Sequence, residues 1–126
     1  MDTGKINENY EFYSGYEGEP EVILSVKNNE LETVHIWDGY FYDIFGEPSL
    51  DGKGWNGFTK DFNQFERCFN DEGIAVEIDI DEYLTDLRLY KTKKFKFDET
   101  PAVFRKIEEY LEKAKKHSYI VLVVSD

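Results

Sequence analysis

Apolar and polar positions along the chain fall into a few readable periods. EVILSV (21 to 26) and LETVHIW (31 to 37) are rich in Val, Ile and Trp and flank KNNE. They predict a hairpin turning at Asn28-Asn29, because asparagine tolerates positive φ. IAVEIDI (74 to 80) alternates strictly, with Ile74, Val76, Ile78 and Ile80 on one side and Ala75, Glu77 and Asp79 on the other. That is the pattern of a half-buried strand. YIVLVV (119 to 124) is a nearly continuous apolar run, which predicts a strand buried on both faces.

Helical spacing appears twice. Phe58, Phe62, Phe65 and Phe69 recur at intervals of four, three and four and put four rings on one stripe of a helix ending before Gly73. Thr100-Pro101 supplies a capping hydroxyl and then proline at the first helical position. Val103, Phe104, Ile107, Leu111 and Ala114 follow at helical spacing to about His117. DEYLTDLRLY (81 to 90) suits a short helix capped by Asp81, or a strand from Leu87 onward, and KTKKFKFD reads as a basic edge strand. Between Asp38 and Gly57, aromatics alternate with acids and glycines, so at most one helical turn near Tyr40 to Phe45 is expected. Residues 1 to 20 are either an edge strand near Tyr10 to Tyr13 or a loose arm.

These elements assemble into a single α+β or α/β domain spanning residues 1 to 126. Its mixed sheet would contain strands 22 to 27, 32 to 37, 74 to 80 and 119 to 124, packed by helices 59 to 71 and 101 to 117. At 126 residues, 40% hydrophobic and 17% aromatic, the chain is long enough for one core and short for two.

Charge narrows the class of partner. The formal net charge is -12. Residues 91 to 126 hold 9 Lys/Arg and 6 Asp/Glu, a net of +3, leaving 6 basic and 21 acidic residues, a net of -15, in residues 1 to 90. Such a surface repels phosphate backbones and attracts cations, so direct nucleic-acid binding is not expected. No membrane-spanning run or leader pattern is seen, and the lone Cys68 makes no internal disulfide, so a reducing cytoplasm is expected. Cys68 reads as a small packed side chain, and His35 and His117 as structural. No metal or cofactor site is expected. Asp79-x-Asp81-Glu82 lacks the further ligands a Mg2+ site would need.

GKGWNG (52 to 57) matches the spacing of a dinucleotide-binding loop, and acids at 77, 79 and 81 lie about 20 residues on. The preceding IFGEPSLD contains Gly46, Glu47, Pro48 and Asp51 and is not a buried strand, while Trp55 occupies room that a pyrophosphate needs. A nucleotide-binding enzyme using Gly52, Gly54 and Gly57 is therefore the third-ranked reading.

PSLDGKGWNGFTKDF instead resembles the segment by which barstar-like ribonuclease inhibitors enter their recognition helix. Those proteins carry a proline, a glycine four residues later, a bulky apolar residue three beyond that and then an acid, before the apolar positions of the helix. Pro48, Gly52, Trp55, Asn56, Phe58 and Phe62 fall on that spacing, and IEEYLEKAKKHSYIVLVVSD resembles the family's final helix and inner parallel strand. The likeness covers about half the chain. It departs at Asn56, Leu50 and Lys60, where the family has an acid, an aromatic and an acid, and the 21 to 37 hairpin is an addition.

The resemblance implies a cytoplasmic immunity protein, with no catalysis of its own, that plugs the active site of a basic nuclease toxin, the setting of contact-dependent growth inhibition. A monomer in a 1:1 complex is expected rather than a homo-oligomer. Independently of family, an acidic surface with aromatic anchors is what fills a cationic cleft. Trp55 and Tyr40 or Tyr42 are the candidate aromatic anchors, Asn56 is a further contact beside Trp55, and Asp38, Asp43, Glu47 and Asp51 would meet basic or catalytic groups. Glu77, Asp79 and Asp81, about 7 Å apart along one strand face, form a second acidic row, although such a face is ordinarily a sheet's solvated side. The competing reading is an acidic adaptor that docks a basic partner without inhibiting it.

Overall fold

The computed structural model describes residues 8–28, 30–46, 58–59, 62 and 74–125. Alternation in EVILSV builds strand β2 (Glu21–Val26), with Val22, Leu24 and Val26 buried and Glu21, Ile23 and Ser25 half-exposed. It pairs antiparallel with β3 (Thr33–Trp37), Val22 opposite Ile36 and Leu24 opposite Val34, so the predicted hairpin forms. On the outer side of β3 lies β1 (Glu8–Phe12), parallel to it and irregular in register between Asn9 and Phe12. The edge-strand reading of the first residues thus holds for 8–12. On the other side of β2 come β5 (Val121–Ser125) and β4 (Val76–Glu77), giving the mixed order β1-β3-β2-β5-β4.

Three helices complete this α+β fold: α1 (Asp38–Phe45), α2 (Ile80–Leu89) and α3 (Thr100–Lys116). Phe58, Thr59 and Phe62 are also helical, and Phe58 and Phe62 are fully buried. The rest of the expected 59 to 71 helix, with Phe65, Cys68 and Phe69, lies outside the described residues. Tyr40, Phe41, Ile44 and Phe45 of α1, Leu84 and Leu87 of α2, and Val103, Phe104, Ile107 and Leu111 of α3 join Val22, Leu24, Ile36, Val121 and Val123 in one core. Helix α3 ends at Lys116, and beyond it Ser118, with a positive φ of 58°, lets the Tyr119 N–H return to the Ala114 carbonyl at 2.8 Å.

Several expectations are corrected. Asp38 to Phe45 is a helix of 8 residues, not one turn, because positions 40, 41, 44 and 45 bury one face. The 74 to 80 segment pairs only at Val76–Glu77, since β5 begins at Val121 and Ile78 N–H takes the last carbonyl there. Ile74 is left exposed. The cap of α2 is Asp79, which accepts the Glu82 N–H at 3.0 Å, and not Asp81. Nor does Thr100 cap α3: it is the first helical residue, and its hydroxyl goes elsewhere. The lysine-rich 91 to 97 segment is turn and loop rather than an edge strand.

The apolar run at 119 to 124 is not covered twice. In β5, Val121 and Val123 are buried while Leu122 and Val124 are half-exposed on the face that also carries Ile23. This strand is antiparallel to both neighbours, where the resemblance implied an inner parallel strand.

Candidate partner-binding site

Helix α1 follows β3 without an intervening residue, and its first turn is shaped by an indole. A Cβ on Gly39 would lie 2.3 to 2.5 Å from ring carbons of Trp37. That ring is stacked on Tyr16 at 3.9 Å, meets Tyr40 and Phe97 edge-on at 5.1 and 5.3 Å, and donates its N–H to Glu19 at 3.1 Å. Alanine in place of a helical glycine ordinarily gains up to about 1 kcal/mol. Shifting the indole would break its contacts with Tyr16, Tyr40, Phe97 and Glu19, so Gly39→Ala is expected to lose about 1 to 3 kcal/mol by overpacking. Urea unfolding measures the difference.

Most predicted anchors on α1 turn inward. Asp38, Tyr40 and Asp43 are buried, and among the α1 residues proposed as contacts only Tyr42 is exposed. Burial, followed by the hydrogen bond with the Tyr16 hydroxyl, pushes the Tyr40 phenol above its ordinary pKa. Asp43 is an internal clamp: its carboxylate accepts the N–H groups of Lys96 and Phe97 and the Thr100 hydroxyl, the last at 2.7 Å. The backbone carbonyls of Asp43 and Ile44 in turn accept from the Lys93 ammonium at 2.8 and 3.3 Å, which satisfies the negative end of α1. The expectation that Asp38, Tyr40 and Asp43 face a partner is therefore corrected. Glu47, Asp51, Trp55 and Asn56, with the glycines of the loop, lie outside the described residues.

A second aspartate, unforeseen from sequence, is buried in α2 and holds Thr59. Asp86 of α2 is fully buried and accepts both the N–H and the hydroxyl of Thr59, at 2.9 and 2.8 Å, and that hydroxyl also meets the Tyr90 hydroxyl at 2.8 Å. Asp86 of α2 thus ties the backbone and side chain of Thr59, 27 positions away, to another helix. The rings of Phe45 and Phe58 stack with centroids 4.8 Å apart. Phe58 also meets Phe41 and Tyr83, at 5.4 and 4.3 Å, so α1 is joined to the Phe58 region by more than one ring.

The second acidic row does not lie along one strand face. Glu77 is exposed in β4, Asp79 caps α2, and Asp81 in the first turn of α2 pairs with Lys115 at 2.5 Å. A different acidic group sits on the open sheet face. The two ring nitrogens of His35 contact Glu8 and Glu21 at 2.5 Å each, and Tyr10 stacks on the imidazole at 4.1 Å. His35 thereby ties β1, β2 and β3 together. Glu32 performs a similar service between β1 and α3, accepting from Asn9 at 3.0 Å and pairing with Lys106.

No described helix is long and apolar enough to cross a membrane. Comparison with protein-family models, with curated proteins and with solved structures finds no match.

Proposed function

We propose that this chain is an immunity-type inhibitor: it binds a cationic nuclease domain through the segment between Gly46 and Phe58 and occludes that domain's active site. The observation that carries this reading is the closure of the segment's two ends. Phe45 and Phe58 stack at 4.8 Å, with buried Asp43 fastened just before and Asp86 holding Thr59 just after. The stretch between carries Glu47, Asp51, Trp55 and Asn56. Fixing both ends of a binding segment in advance lowers the conformational entropy lost on association. The net charge of -15 in residues 1 to 90 adds attraction toward a cationic cleft and speeds encounter. The resemblance to barstar-like inhibitors falls on this same stretch and supplies the partner class. The chain would act as a monomer in a 1:1 complex.

Co-expression tests the reading. Cells making a basic nuclease domain encoded beside this chain should survive when the chain is present, and failure to rescue removes the hypothesis. For the contact surface, Asp51→Ala and Trp55→Ala are each expected to raise the dissociation constant by about tenfold or more, the range of a binding hot spot. Dissociation unchanged in both would move the interface elsewhere.

A further inference from the structure

The lysines of KTKKFKFD, read from sequence as protection for a sheet edge, line a cleft instead. Beside α1, Trp37, Tyr42 and Phe97 wall a space of about 440 Å³, with Lys93, Lys94 and Lys96 around it. Its volume lies within the range of small-molecule sites. Tyr42 and Phe97 are 41% and 37% exposed, so aromatic surface remains open to a ligand.

The charges of the cleft do not cancel. The Lys93 ammonium is taken up by the last carbonyls of α1, and the Asp43 carboxylate by Lys96 N–H, Phe97 N–H and Thr100. Lys94 and Lys96 are exposed, and their ammonium groups have no carboxylate partner among the described residues. Asp98 and Glu99 follow Phe97 in sequence but do not line the cleft. Among the described lining residues, one carboxylate stands against three ammonium groups, in a chain of net charge -12. Glu19, whose carboxylate takes the Trp37 indole N–H, is a further acid at a lining residue, and screening over about 8 Å at physiological salt leaves a group held between Lys94 and Lys96 governed mainly by those two ammoniums.

We infer that this cleft binds a small planar anion, a ring bearing a phosphate or carboxylate, with the ring against Trp37, Tyr42 and Phe97 and the anionic group between Lys94 and Lys96. Aromatic faces hold a flat ring by stacking. Lysine meets a phosphate or carboxylate as a point charge with three donors. The contacts named for this site include none of Glu47, Asp51, Trp55 or Asn56.

The test is calorimetric titration of the whole chain with AMP, benzoate, adenosine and inorganic phosphate. Trp37 fluorescence is followed in parallel in a Trp55→Phe chain, where it is the only indole. Saturable 1:1 binding of AMP or benzoate is expected, AMP marking phosphate and benzoate carboxylate as the anionic group. Adenosine and phosphate alone should bind more weakly than AMP. Lys94→Ala/Lys96→Ala, both exposed and expected to leave the melting temperature unchanged, should weaken binding by about tenfold or more. Phe97→Ala is a second variant that removes the ring without the charge, and it too should weaken binding. No saturable binding of either planar anion at millimolar concentration would overturn the inference. So would phosphate binding as tightly as AMP, or affinity indifferent to the two lysines.

Discussion

Asp43→Ala is expected to lower the stability of this chain by about 3 kcal/mol, which for a domain of this size moves the melting temperature by roughly 10 °C. The side chain is 6% exposed and takes three donors from residues 53 to 57 positions away in sequence. Truncation leaves two backbone N–H groups and a hydroxyl without their acceptor, and burial makes such losses costly. It also frees the 96 to 100 segment from α1. Asp43→Asn, which keeps one oxygen but turns an amide toward N–H donors, should cost less than alanine. Thr100→Ala removes one donor and should cost about 1 kcal/mol, and the double variant less than the sum, because the two share one bond. Urea denaturation of the four proteins measures the cycle.

Asp86→Ala is expected to be comparably damaging, at about 3 kcal/mol. The carboxylate is fully buried and satisfies two donors of Thr59, one of them its backbone N–H. Thr59→Ala keeps the N–H contact and loses only the hydroxyl, so it should be milder, about 1 kcal/mol. The two aspartates also differ in what they hold: Asp43 fixes the chain before Gly46, and Asp86 fixes its return at Phe58 and Thr59. In the folded fraction, either loss should weaken partner binding through entropy, without removing a contact. Calorimetry of the complex would register this as a more unfavourable binding entropy.

Local periodicity made much of the fold legible. EVILSV, LETVHIW and the Thr100-Pro101 helix carry their own signals, and each forms within a residue or two of its expected bounds. What the sequence hid depends on partners far along the chain. The strand pattern of IAVEIDI is sound, but pairing needs a neighbour, and β5 starts too late to extend it beyond Ile78. The alternation of acids and rings in DGYFYDIF looked like a display loop. In the fold its rings at 40, 41 and 45 are core, and Asp43 is occupied by a segment more than fifty residues distant.

The candidate site was less legible than the fold for the same reason. A buried aspartate and an exposed one look alike in sequence, so Asp38 and Asp43 were grouped with Glu47 and Asp51. Asp86 carries no local signal, because the donors it holds are on Thr59, 27 positions away. The glycine pattern at 52 to 57 drew notice, whereas the features that bracket that stretch are the clamps at Asp43 and Asp86. The lysines at 94 and 96 were visible as a basic run, but their meeting with Trp37 and Tyr42 depends on how the 91 to 97 segment folds over α1.

Inhibition of a nuclease is the central claim, and activity is its direct readout. The basic nuclease domain encoded beside this chain would be titrated with it while cleavage of labelled substrate is followed. The account predicts that activity falls linearly to zero at one equivalent and that the rate of inhibition drops as salt rises, since charge governs encounter. A complex that forms while cleavage continues at full rate would contradict it and make the chain an acidic adaptor; undiminished cleavage with no complex would contradict both readings.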